Sequence, residues 1–149
     1  MIDFSPQYGD MAVKLIVATF FGSLIGLERE FHGKEAGLRT CALVSLGSAL
    51  VMMVSIQMYE IYKDTGIVDP SRIAAQAVSG IGFLGAGAII RDPSGVRGLT
   101  SAASIWTVSG VGLAVGAGLF WPALITTVIV LFVLAFLSKV NRFIGKRGE

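Results

Sequence analysis

Apolar and polar positions in this chain segregate into long blocks rather than repeating at a strand or amphipathic-helix period. Predominantly apolar runs cover Met11 to Leu27, Thr40 to Tyr59, Arg72 to Ile90, Leu99 to Phe120 and Pro122 to Leu137. Blocks of roughly 20 apolar residues match the ~30 Å hydrocarbon layer of a bilayer. The fifth is the plainest, since ALITTVIVLFVLAFL carries neither charge nor glycine. The punctuation agrees: Asp69-Pro70-Ser71 offers a capping side chain and a first-turn proline, and Trp121-Pro122 does the same with an interfacial aromatic. Arg91 to Gly95, RDPSG, reads as a turn. The pattern predicts an all-α polytopic membrane protein with five transmembrane helices. A four-span alternative would leave the glycine-rich third or fourth segment outside the bilayer.

Composition sharpens this picture. The chain is 54% hydrophobic and 15% charged with a mean hydropathy of +0.75, whereas soluble domains carry about 25% charged residues. A single transmembrane domain over residues 1–149 is expected, with no separate soluble unit. Cys41 is the only cysteine, which excludes an intrachain disulfide. No Lys or Arg precedes Lys14, so the first apolar segment lacks the basic flank of a cleaved signal peptide and is expected to be retained.

Cations set the expected orientation, because cytoplasmic loops are enriched in Lys and Arg. The first loop (Arg29, Lys34, Arg39), the third loop (Arg91, Arg97) and the tail (Lys139, Arg142, Lys146, Arg147) hold nine of the twelve basic residues. Lys63 and Arg72 on the other side are offset by Glu60, Asp64 and Asp69, and Lys14 can snorkel. The N-terminus is therefore expected outside and the C-terminus in the cytoplasm.

The glycines bear on packing. Gly80-x-Gly82-x-x-Gly85 spells a dinucleotide fingerprint, but that motif needs a preceding strand and a helix beginning at the glycines. Here RIAAQAVS precedes it and apolar residues follow to Ile90. Between helices in lipid, small residues permit close backbone approach. Gly80, Gly82, Gly85 and Gly87 in the third span and Gly110, Gly112 and Gly116 in the fourth are the expected packing residues, letting these two helices touch backbone to backbone. The competing reading is a helix broken in mid-membrane, with backbone carbonyls exposed to an ion. FGSLIGLERE…AGLRTCALVSLG and GFLGAGAIIRD…RGLTSAASIWTVSG share one plan of glycine-bearing helix, charged exit, basic loop and small-residue helix, the outline of a direct repeat of two hairpins plus a fifth helix.

Side chains able to carry chemistry are few. Carboxylates fall at the ends of the spans and not within them, which argues against a dedicated magnesium pore. His32 has no second histidine or cysteine pair beside it for a zinc site, and no Ser/His/Asp or Cys/His set recommends catalysis. No metal, cofactor or catalytic residue is assigned. The charges of the two basic hairpins, Glu28, Arg29, Arg39, Arg91, Asp92 and Arg97, can pair if the loops lie side by side, with Arg39 and Arg97 as forked donors to Glu28 or Asp92. Gln76, Thr100, Ser104 and Thr107 are polar intramembrane positions expected to make interhelical hydrogen bonds. Trp106 lies about two turns into its helix and can face a neighbour.

GSLIGLERE, AGLRTCALVSLGSAL, RIAAQAVSGIGFLGAGAIIR and VRGLTSAASIWTVSGVGLAVGAG, taken in order from Gly22 to Gly118, closely resemble the MgtC/SapB family of bacterial inner-membrane proteins. The positions carrying the match are Glu28, Arg29, Gly37, Arg39, Arg72, Gln76, Arg91, Arg97 and Trp106. The resemblance implies a multi-pass protein of the bacterial plasma membrane, associated with growth under magnesium limitation and, in pathogens, with virulence. It also implies a non-enzymatic regulator with membrane-protein partners such as the F-type ATP synthase. Against the longer members a short form without their soluble C-terminal domain is expected, and the chain has Thr100 and Thr107 where some members have Asn and Cys. Two functions are weighed: a regulator acting through a membrane-protein partner or a homodimer built on small-residue faces, and a small transporter or channel for an ion or polar solute. No nucleic-acid partner is expected.

Overall fold

The computed structural model describes residues 6–66, 69, 71–93 and 95–145. Pro70 and Ser94 of the capping and turn motifs, and Lys146 and Arg147 of the basic tail, lie outside the described residues. Five helices and one short hairpin follow in chain order: α1 (Pro6–Phe31), α2 (Leu38–Tyr62), α3 (Ser71–Gly87), β1 (Ile90–Asp92), β2 (Gly95–Arg97), α4 (Leu99–Gly116) and α5 (Phe120–Gly145). Three stretches are long and apolar enough to cross a bilayer: Tyr8–Phe31, Leu38–Tyr62 and Leu99–Gly116. In α5 the described apolar stretch is Phe120–Phe136. At 17 residues α3 is about 25 Å long, short of the hydrocarbon thickness.

Helix ends depart from the apolar pattern for identifiable reasons. Polar residues extend α1 beyond Leu27, and the chain then closes with Gly33 at φ +60°. The Gly33 amide donates to the Glu30 carbonyl and that of Lys34 to Arg29, a Schellman closure. The same closure ends α4 at Gly116 instead of Phe120: Gly118 adopts φ +82°, its amide donates to Val115 and that of Leu119 to Ala114. The third helix stops at Gly87, before the expected Ile90. The β-branched pair Ile89-Ile90 favours extended backbone, and the RDPSG turn forms an antiparallel hairpin pairing Ile90 with Arg97, Arg91 with Val96 and Asp92 with Gly95. Both α3 and α4 run unbroken between their ends, so no mid-helix unwinding occurs.

The core lies between α1, α2 and α4, with α5 laid against α1 and α4. One cluster gathers Ile25, Ala36, Cys41, Val44, Ile105, Val108 and Leu134; a second gathers Ala18, Phe21, Ala49, Val111, Val115 and Ala123. Helix α3 stands at the margin, with only Gly85 buried.

The glycine contacts differ from those expected of the third and fourth spans. A Cβ on Gly112 would meet the Ser45 carbonyl oxygen, and one on Gly116 would lie 2.5 Å from that of Ala49, so α4 touches α2. Along the same stripe of α2, Gly22 stands against Cys41 and Ser45, and Gly26 against Cys41, Gly37 and Leu38. Helix α2 thus lays one stripe, Cys41, Ser45 and Ala49, against glycines of both α1 and α4, which clamp it along that stripe. Gly85 makes only ordinary contact with Ala102, 3.7 Å from an added Cβ, and Gly80, Gly82, Gly87 and Gly110 have nothing within 4 Å. The backbone-to-backbone contact expected between α3 and α4 is replaced by these contacts with α2.

Candidate polar site at the start of α4

The residues flanking the apolar runs converge at one end of the bundle. Glu28 and Arg29 occupy the last turn of α1, and the α1–α2 loop brings Glu35 back toward the first turn of α4. Arg29 is 4% exposed, and its Nη2 donates to Ser101 Oγ at 2.6 Å. Ser101 Oγ in turn donates to Glu35 Oε2 at 2.9 Å. The loop carboxylate thus reaches the guanidinium through a shared hydroxyl. Hydrogen bonds from its own backbone and from Ser101, with smaller contributions from the Lys34 and Arg29 charges, hold the Glu35 carboxyl below the usual glutamate range.

Glu30 has a separate task. Its Oε2 accepts the Leu38 amide at 2.7 Å, capping the start of α2 and complementing its dipole. Gly37 fits beneath that carboxylate, which lies 2.7 Å from where a Cβ would stand. The start of α4 is built differently. Gly98 occupies the N-cap at φ +85° and contributes no side-chain cap, and an added Cβ there would collide with the Ala88 carbonyl. The first amides of α4 have no intrahelical acceptor, and the residues that carry them, Leu99, Thr100 and Ser101, line the site.

A cavity of about 790 Å³ opens here, walled by Glu28, Arg29 and Glu35 on one side, by Arg97, Thr100 and Ser101 on another, and by Val133 and Leu134 of α5. Two buried atoms among its lining residues, Glu28 Oε2 and Arg29 Nε, have no hydrogen-bond partner among the described residues. The other Glu28 oxygen lies 3.1 Å from His32 Nδ1. No group of three or more His, Cys, Asp and Glu side chains gathers among the described residues.

Of the hairpin charges, Glu28, Arg29 and Arg97 share the cavity. Arg97 donates to Asp92 Oδ2 at 2.8 Å across its own hairpin, so this pair forms within one loop and not between two. Arg39 and Arg91 are exposed away from it. The polar intramembrane residues also distribute unexpectedly. Ser104 and Thr107 donate to the carbonyls of Thr100 and Ala103 in their own helix, while Gln76 and Thr100 are exposed. Interhelical bonds are made instead by Arg29 to Ser101 and by the 2.8 Å contact between Ser48 and Ser109, the latter a pair without a sequence signal beyond being small and polar. Trp106 is 57% exposed. Glu35 and Ser101 were not singled out by motif, because their partnership needs a loop closure that spacing does not reveal.

A helical membrane protein with a glycine-clamped core and a polar cavity at one end is the class these features define. The MgtC family model matches residues 15–143, and the chain belongs to that family. It is 43% identical to SapB of Bacillus subtilis over 91% of this chain and 60% of that protein. It is 46% identical to MgtC of Salmonella typhimurium over 80% of this chain and 48% of that protein. YhiD of Escherichia coli, whose name proposes a magnesium transporter, is 42% identical over 84% of this chain and 59% of that protein. The chain therefore spans about half to three-fifths of these relatives. No solved structure matches.

Proposed function

We propose that this chain is a non-enzymatic regulatory protein of a bacterial inner membrane, linked to magnesium limitation, that acts by associating with a second copy or with another membrane protein. Its five helices are assigned as spans, N-terminus outside and C-terminus cytoplasmic, with the polar cavity on the cytoplasmic side; the cation distribution supports that orientation, and the two hairpins are read as a direct repeat. The F-type ATP synthase is a partner suggested by the family resemblance, and the name of YhiD supports the link to magnesium.

The observation that carries the reading is that α3 is left uncovered on two sides, with Gly80 and Gly87 on one and Gly82 on the other. The core is complete without Gly80, Gly82 and Gly87, which have open space where a side chain would stand. Small residues facing lipid gain nothing from it, whereas they allow another helix to approach closely. A homodimer is favoured as the simplest way to cover α3. Gly82→Leu, expected to leave the protomer folded, should abolish self-association in crosslinking of reconstituted membranes and weaken capture of a membrane-protein partner; unchanged association of both kinds would refute the reading. The polar cavity favours a second reading, a small transporter or channel. It predicts flux of magnesium, protons or phosphate into proteoliposomes that Arg97→Ala removes, and tight vesicles would dismiss it.

A further inference from the structure

We propose that the cavity at the start of α4 binds a protonated oxyanion, hydrogen phosphate or the headgroup of a phosphomonoester, held by Arg29 and the first-turn amides of α4 and recognised by Glu28. Three features of different origin converge there. The first is a buried cation without a direct counterion. Arg29 is 4% exposed, no carboxylate oxygen among the described residues lies within ion-pair distance of it, one guanidinium nitrogen is used on the Ser101 hydroxyl and Nε is unpartnered. A desolvated guanidinium calls for an anion, and its fork of donors suits an oxyanion above other acceptors.

The second feature is the uncapped start of α4, where Gly98 supplies no side chain. Gly98, Leu99, Thr100 and Ser101 line the same cavity as Arg29, so the positive end of the helix dipole and its uncapped amides lie at that wall. Lys34 and Arg97 add positive charge to the wall.

The third feature selects among oxyanions. Glu28 Oε2 is buried with no donor among the described residues, in a wall that also carries Arg29, Lys34 and Arg97 and a second carboxylate, Glu35. A fully deprotonated anion is repelled by it. Hydrogen phosphate and phosphomonoesters near neutral pH carry an O–H able to donate to Glu28, with the remaining oxygens left for Arg29 and the amides. Sulfate and phosphodiesters have no such proton. At about 790 Å³ the cavity exceeds what an inorganic ion fills, and Leu99, Val133 and Leu134 give it an apolar side against which an organic group or acyl chain can rest. Glu35, which accepts from the Ser101 hydroxyl that Arg29 also bonds, adds negative charge to the same wall and so competes electrostatically with an incoming anion.

The test uses the full chain in a phosphate-free nonionic detergent. Calorimetric titration with inorganic phosphate and with sulfate, at equal ionic strength, should show phosphate binding at least about tenfold tighter, the discrimination expected when a buried acceptor is left unpaired by the analogue. Glu28→Gln should remove the preference, because an amide can donate to sulfate. Arg29→Gln should weaken phosphate binding at least about tenfold. Glu35→Gln, which removes the competitor and leaves the machinery whole, should tighten it by about threefold or more and keeps the proposal testable if the Arg29 variant does not fold. A parallel arm measures retention of phosphatidic acid against phosphatidylglycerol by native mass spectrometry. Binding of phosphate alone supports a soluble ligand, and selective retention of phosphatidic acid supports a lipid. Binding of neither, equal binding of phosphate and sulfate, or a preference that survives Glu28→Gln overturns the proposal.

Discussion

Substituting Gly112 by alanine tests the clamp on α2 directly. The new Cβ would meet the Ser45 carbonyl oxygen and lie 2.9 Å from both the carbonyl carbon and Cα of Ser45. The obstructing atoms are backbone, so no rotamer change relieves the contact, and α2 and α4 must separate by roughly 1 Å. Overpacking of this kind costs about 1–3 kcal/mol. The same displacement stretches the bond between Ser48 and Ser109, now 2.8 Å, past useful length. An interhelical bond within a membrane contributes about 0.6 kcal/mol and at most about 1.7, so the sum is about 2–4 kcal/mol. Gly110→Ala is the matched reference, since it sits in the same helix with nothing within 4 Å of the new atom. Its gain in helix propensity is shared by Gly112→Ala and cancels in the comparison. Reversible unfolding in mixed micelles, followed by circular dichroism, should place Gly112→Ala about 2–4 kcal/mol below Gly110→Ala. Equal stability, within about 0.5 kcal/mol, would refute the clamp.

Gly98→Ala should lower the unfolding midpoint markedly, by about 2 kcal/mol or more, because it adds left-handed backbone strain to a collision with the Ala88 carbonyl; Gly87→Ala, with open space around it, should not, and equal midpoints would refute the assignment. A double-mutant cycle of Ser48→Ala and Ser109→Ala should return a coupling of about 0.6 kcal/mol, and a coupling near zero would show that the hydroxyls do not act as a pair. The Glu35 carboxyl titrates below its unfolded value, so its stabilising contact with Ser101 is present above the ordinary glutamate range and is lost as pH falls through the depressed value. A spin label at position 34 should therefore become mobile as pH falls below the ordinary glutamate range, and in Glu35→Gln it should show no such step; a step that persists in that variant would exclude Glu35 as the group responsible.

The apolar pattern reveals where the helices are but not how they meet. Long hydrophobic runs locate the five helices, of which three, among the described residues, are long and apolar enough to cross a bilayer. Their ends are less legible: α1 continues through Glu28–Arg29–Glu30 as charged helix, and the Ile89-Ile90 step reads as membrane helix until the hairpin register is seen. Among glycines, composition cannot separate those that touch from those that are merely small. Gly112 and Gly110 look alike in the sequence and differ by two residues, yet 200° of rotation about the helix axis puts one against Ser45 and leaves the other in open space.

The same geometry explains why part of the cavity was foreseeable. Glu28, Arg29 and Arg97 stand out as charges at the limits of apolar runs, where a buried charge demands a partner. Glu35 and Ser101 acquire meaning only when the Gly33 turn folds the loop back over the start of α4. Both Gly33 and Gly98 adopt left-handed backbone. Gly33 closes the loop that brings Glu35 to Ser101, while Gly98 brings the α4 start close under Ala88 without placing a capping side chain over its amides. The space between these two turns is consequently enclosed by backbone geometry as well as by side chains. A substitution that rebuilds either turn should alter the Arg29–Ser101–Glu35 chain without touching any of its three members, which separates the placement of the site from the charges within it.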